Sequence, residues 1–115
     1  MSAKPVTVDA VLAALADPYR RRAGELLGAG PRKASELASL LDLPAPAMSR
    51  HLKALKESGL VSDTHPEFDQ RVRIYALNPD RLDELKTWLA RAEAGWSEQL
   101  AAFKRHVEKK SGGAR

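Results

Sequence analysis

The last third of the chain carries an apolar residue on nearly every turn of one long helix. Leu82, Leu85, Leu89, Ala92, Trp96, Leu100, Phe103 and Val107 follow at steps of 3, 4, 3, 4, 4, 3 and 4. This spacing keeps them on a single stripe, close to a coiled-coil seam. Asn78-Pro79 opens the helix as a cap followed by a proline whose missing N–H would have had no helical partner anyway. The helix is expected to reach about Lys109, with residues 111–115 as a frayed tail. A chain of 115 residues buries only a modest core of its own, so the stripe is expected to pack against a second copy.

The segments before it are shorter. Thr7 is expected to cap a first helix whose apolar face is Val8, Val11, Leu12 and Leu15, with Asp9 in the first turn, where a carboxylate suits the helix dipole. Asp17-Pro18 is a second cap-plus-proline start. The helix it opens repeats Tyr19, Ala23, Leu26 and Leu27 and stops at Gly28, Gly30 and Pro31. A short third helix runs from about Lys33 to Leu41. After the turn Asp42-Leu43-Pro44, a fourth runs from about Ala45 to Ser58 and ends at Gly59. Then the period changes. Leu60-Val61-Ser62 and Val72 to Leu77 read as two strands around the polar loop from His65 to Arg71, a hairpin with a long tip.

Helices three and four with their tight turn form a helix-turn-helix, and the hairpin after them is placed as a wing. In such a motif the second helix enters the major groove. At about 100° per residue, Met48, Leu52 and Leu55 cluster on one side of the fourth helix. Pro46, Ser49, Arg50 and Lys53 face broadly the other way, with Lys56 at the edge and His51 at the margin between the faces. Arg50 can take a guanine or a phosphate; Lys53 and Lys56 suit phosphates. A net charge of +4 and a pI near 9.6 favour a polyanionic partner without deciding the matter.

Leu15-Ala16-Asp17-Pro18-Tyr19-Arg20-Arg21-Arg22, the segment Ala45-Pro46-Ala47-Met48-Ser49-Arg50-His51-Leu52-Lys53-Ala54-Leu55 and the run Ser58-Gly59-Leu60-Val61 resemble signatures of the arsenical-resistance repressor (ArsR) family. The resemblance covers about residues 8–105. It implies a homodimer that binds an inverted-repeat operator on double-stranded DNA and represses transcription. It also implies that Pro46, Ala47, Ser49 and Arg50 belong to the operator-reading helix and that Arg71 or Arg73 of the wing lies near DNA. Pro44 departs from the family, which often has a serine or threonine cap there.

The expected fold is therefore mainly α with a small β-hairpin: a winged helix-turn-helix with a long C-terminal dimerisation helix. Residues 1–115 form one domain, with the DNA-binding core and wing at 17–78 and dimerisation helices at 7–16 and 79–110. The DNA-binding set is Pro46, Ala47, Ser49, Arg50, His51, Lys53, Lys56, Arg71 and Arg73. The dimer set is Val8, Val11, Leu12, Leu15, Leu82, Leu85, Leu89, Trp96, Leu100 and Phe103. Trp88 and Trp96, eight residues apart, share a helix face and read as core or dimer packing rather than an effector pocket. Arg20-Arg21-Arg22 reads as a solvated basic run, with phosphate contact as the alternative.

The chain has no cysteine, so thiolate metal sites and thiol redox chemistry are excluded. His106 with Glu108 makes a poor zinc site, and His65 sits in the hairpin tip. No metal or cofactor is expected. No Gly-rich phosphate loop, HExxH or GxSxG motif is present, and Ser49 and His51, two apart on a helix, do not face each other, so no enzyme is expected. Neither a signal peptide nor an apolar run of about 20 residues is found, which makes the cytoplasm the expected compartment and a membrane an unexpected partner. The competing reading is a helical dimeric adaptor that binds proteins only; it leaves the cationic face and the hairpin without a role. The sequence names no effector.

Overall fold

The structure is a computed structural model and describes the backbone of residues 8–113. Thr7, the expected first cap, lies outside the described residues. The elements run α1 (Val8–Ala14), α2 (Pro18–Gly28), β1 (Arg32–Lys33), α3 (Ala34–Leu41), α4 (Ala45–Glu57), β2 (Val61–Thr64), β3 (Ile74–Leu77) and α5 (Pro79–Gly113). The chain divides into two compact units, one ending at Asp83 and one starting at Glu84.

Local chemistry sets the boundaries. Asp17 caps α2, its carboxylate accepting from the N–H groups of Tyr19 at 2.8 Å and Arg20 at 3.1 Å, with Pro18 next in line. The Glu36 carboxylate accepts from the Lys33 N–H at 2.8 Å; a lysine side chain has no acceptor to return the bond, so only half a capping box closes α3. Asp42 ends α3 in the left-handed region at φ 55°, which a short polar side chain tolerates. Ser58, buried behind α4, donates to the Leu55 carbonyl at 2.6 Å and accepts from the Leu60 N–H at 3.2 Å. Gly59 follows at φ 85°, a conformation that favours glycine. Asn78 ties the start of α5 to the start of the wing: its amide donates to the Gly59 carbonyl at 3.1 Å and its side-chain oxygen accepts from the Asp80 N–H at 3.1 Å.

The core of the first unit is Val11, Ala14, Ala23, Leu27, Leu37, Met48, Leu52, Leu55, Leu60 and Val61, each under a tenth exposed. Burying one such leucine or methionine contributes about 1.5–3 kcal/mol. Three side chains from one face of α4 therefore fix how that helix rolls.

The structure differs from the sequence expectations at several points. The hairpin is part of a three-stranded antiparallel sheet in the order β1-β3-β2. The added strand is Arg32–Lys33, pairing Arg32 with Tyr75 and Lys33 with Ile74. The second hairpin strand begins at Ile74 rather than Val72, and the first runs to Thr64 rather than Ser62, with Asp63 opposite Tyr75. The helix continues through Ser111, Gly112 and Gly113, where a frayed tail was expected; no proline interrupts it. Val11 is fully buried within a single chain, so it belongs to the protomer's own core and has no surface to give a partner. Leu40 of α3 is 55% exposed.

Candidate nucleic-acid interface

Burying Met48, Leu52 and Leu55 turns the opposite face of α4 to solvent. Pro46, Ser49, Arg50 and Lys53 are exposed, Ala47 is half-buried, and neither Arg50 nor Lys53 makes an ion pair among the described residues. Pro44 occupies the cap of α4 at φ −60° and supplies no side-chain hydrogen bond. The first turn is thus uncapped, and its outward N–H groups stay available to an anion.

The other cations expected at DNA are already engaged. The Lys56 ammonium lies 2.8 Å from one oxygen of Asp63, and an Arg73 guanidinium nitrogen lies 3.3 Å from the other. The Asp63 side chain is 8% exposed, which strengthens both attractions. The hydrogen bond from Lys56 dominates and, with the charges of Lys56 and Arg73, holds this carboxyl below the usual aspartate value against the cost of burial. Arg71 pairs with Asp69 at 3.2 Å in the loop between β2 and β3. Asp63 thus links Lys56 to the wing and offsets part of the charge of Lys56 and Arg73, while Arg71 remains 92% exposed beside Asp69, engagements that the sequence did not reveal.

His51 is not on the outer face. Its ring stacks on Tyr19 with centroids 5.8 Å apart and 25° between planes, and its Nδ1 lies 3.9 Å from Asp17. It joins α4 to the cap of α2. Burial opposes charge on Asp17, but the two backbone donors and the neighbouring His51 and Arg20 outweigh it, and its pKa falls. The basic run of α2 is also structural. Arg20 Nε donates to the Ala14 carbonyl at 2.6 Å, and Arg21 donates to the carbonyls of Leu15 and Ala16 at 2.8 and 3.0 Å, closing the end of α1. Arg22 sits 5.9 Å over the Tyr19 ring.

Residues 15–64 match the helix-turn-helix domain family. The chain is 40% identical over 95 residues to the HTH-type transcriptional regulator Rv2034 of Mycobacterium tuberculosis, covering 83% of each protein. The chain belongs to the ArsR family of winged helix-turn-helix transcriptional regulators. Among solved structures, an ArsR-like transcriptional regulator from Rhodococcus sp. RHA1 is 33% identical with a TM-score of 0.67, over 85% of this chain and 90% of that one. A homodimeric winged helix-turn-helix DNA-binding domain from Mycobacterium bovis is 26% identical with a TM-score of 0.59, over 81% of each.

Within the ArsR frame, α3 and α4 are the helix-turn-helix and the hairpin is the wing. Sequence reasoning missed the strand that holds Lys33. Its position between a Gly-Pro stop and a helix start gave no alternation to read, yet β1 places it against β3, beside Ser35, Ser49 and Arg73 around a common cleft. Among the described residues no three His, Asp or Glu side chains gather as a metal site.

On α5, Trp88 and Trp96 meet edge to face at 6.3 Å. Leu89, Trp96, Leu100, Phe103 and Val107 are each 46–67% exposed, whereas Leu82 and Leu85 are half-buried. No described helix is long and apolar enough to cross a membrane.

Proposed function

We propose that this ArsR-family regulator is a homodimeric repressor that reads an inverted-repeat operator in the cytoplasm, through α4 and the wing, and performs no catalysis. The observation that carries the reading is the split of α4. Met48, Leu52 and Leu55 are at most 1% exposed, while Ser49, Arg50 and Lys53 project into solvent with both cations unpaired among the described residues. Arg50 lies nearer the N-terminal end and presents a planar fork suited to guanine O6 and N7. Ser49, Pro46 and Ala47 share that end. Lys53, a turn further on, offers a point charge to a phosphate.

Self-association is supported by the apolar stripe of α5. Leu89, Trp96, Leu100 and Phe103 expose half or more of their surface, and Leu82, Leu85, Val8, Leu12 and Leu15 complete the proposed interface. A two-fold pair of recognition helices would meet major-groove faces about 34–36 Å apart, and a dimer seated on a promoter blocks it sterically.

Sequencing of genomic fragments retained by the purified protein, followed by footprinting, tests the proposal. Two symmetric protected half-sites are expected. Retention of fragments without a common inverted repeat would contradict it.

A further inference from the structure

We propose that the cleft between the start of α3, the start of α4 and the base of the wing receives a phosphate of the DNA backbone, with Lys33 as the cation that binds it. This rests on the operator-binding reading above and adds a contact to it. The cleft has a volume of about 510 Å³; its polar lining is Lys33, Ser35, Ser49, Arg71, Arg73 and Tyr75, and Ala34, Ala45, Met48 and Val72 line it as well. Its shape follows from β1. The pairing of Lys33 with Ile74, and the hydrogen bond from the Ala34 N–H to the Arg73 carbonyl at 3.4 Å, bring the start of α3 against the wing. Ser49, exposed on α4, also lines the cleft.

The charges of the cleft are unequal. Arg73 shares Asp63 with Lys56, and Arg71, 92% exposed, pairs with its near neighbour Asp69. Lys33 spends its backbone N–H on Glu36, is exposed, and makes no ion pair among the described residues. Its ammonium is therefore a positive charge that no described carboxylate pairs, beside arginines whose charge is only partly offset and with the serine hydroxyls of the lining as neutral donors. A phosphodiester fits this set: it is anionic, carries only acceptors and needs several donors at once. A cleft contiguous with Ser49 meets the backbone when α4 lies in the groove.

The same phosphate chemistry could arrive on a free phosphorylated molecule, so the test has two arms. Affinity of the full chain and of Lys33→Gln for a random duplex is measured by fluorescence anisotropy over a range of salt, with Lys104→Gln on α5 as an equal loss of charge and far-UV circular dichroism as a check on folding. The expected result is that Lys33→Gln binds several-fold more weakly and that its slope of log affinity against log salt is shallower by about one unit, while Lys104→Gln keeps the parent slope. In the second arm, inorganic phosphate replaces chloride at constant ionic strength. Unchanged slopes together with phosphate displacing DNA from the parent but not from Lys33→Gln would assign the cleft to a free phosphate and overturn the backbone contact. Equal behaviour of parent and Lys33→Gln in both arms, or an equal loss in Lys104→Gln, would overturn the site altogether. A parent that binds no duplex at all would sink the operator reading and this contact with it, a result distinct from a parent that binds normally and a variant that matches it.

Discussion

The Lys56 ammonium lies 2.8 Å from Asp63, a carboxylate that also holds Arg73 at 3.3 Å. One nearly buried acid thus ties the last turn of the recognition helix to the wing and cancels part of the charge that both would show to DNA. Asp63→Asn is expected to lose about 1–3 kcal/mol of stability, because charge-assisted hydrogen bonds to a buried acceptor are weakened. It is also expected to free both cations and steepen the salt dependence of binding to random DNA. Thermal melts and salt titrations check the two effects; a shallower salt slope would mean that Asp63 acts only by positioning the wing.

Acid should weaken the same tie. The Asp63 carboxyl is held below the usual 3.8, so its contribution to stability is complete above that value and is lost as pH falls through the folded-state value beneath it. The stability gap between parent and Asp63→Asn, measured by denaturant unfolding, should be constant near neutrality and narrow as pH drops from about 5 to about 3. A gap that does not narrow would contradict the charged pair.

Core and surface positions of α4 should separate cleanly. Leu52, 1% exposed, should cost about 2–5 kcal/mol on Leu52→Ala. Lys53→Ala, next to it in sequence but exposed, should change stability by about 0.5 kcal/mol or less. Urea unfolding of the two variants decides this. Equal losses would mean that α4 is rolled differently about its axis.

How much of this was legible in sequence depends on the residue. The fourth helix and its faces were, because Met48, Leu52 and Leu55 recur at helical spacing and their burial dictates where Arg50 and Lys53 must point. The caps at Asp17 and Asn78 were, because each precedes a proline. β1 was not, since two residues carry no period. The engagement of Lys56, Arg71 and Arg73 was not either: Asp63 reaches Arg73 across ten residues of hairpin, and the strand register that aligns them depends on where the turn closes. Arg20 and Arg21 gave only a basic run. Their role appears once α1 ends within reach, six and five to six residues upstream respectively.

The α5 stripe gives a further test. Leu100 is 67% exposed within one chain, so Leu100→Glu removes no intrachain core contact and should instead place a charge in the subunit interface. Light scattering should show the parent as a dimer at micromolar concentration and Leu100→Glu as a monomer that keeps its helical circular dichroism. A monomeric parent would contradict the dimer.

The most direct test of the account is the binding of Arg50→Ala and Lys53→Ala to an operator recovered from bound genomic fragments and to a random duplex. Arg50→Ala is expected to lose about 1–3 kcal/mol on the operator and to relax preference at one position in each half-site. Lys53→Ala is expected to weaken both duplexes alike and to lower the salt slope by about one unit. If Arg50→Ala weakens both duplexes equally, Arg50 is a phosphate clamp and base reading lies elsewhere. If both variants bind both duplexes as the parent does, α4 is not the recognition helix and the central claim is wrong.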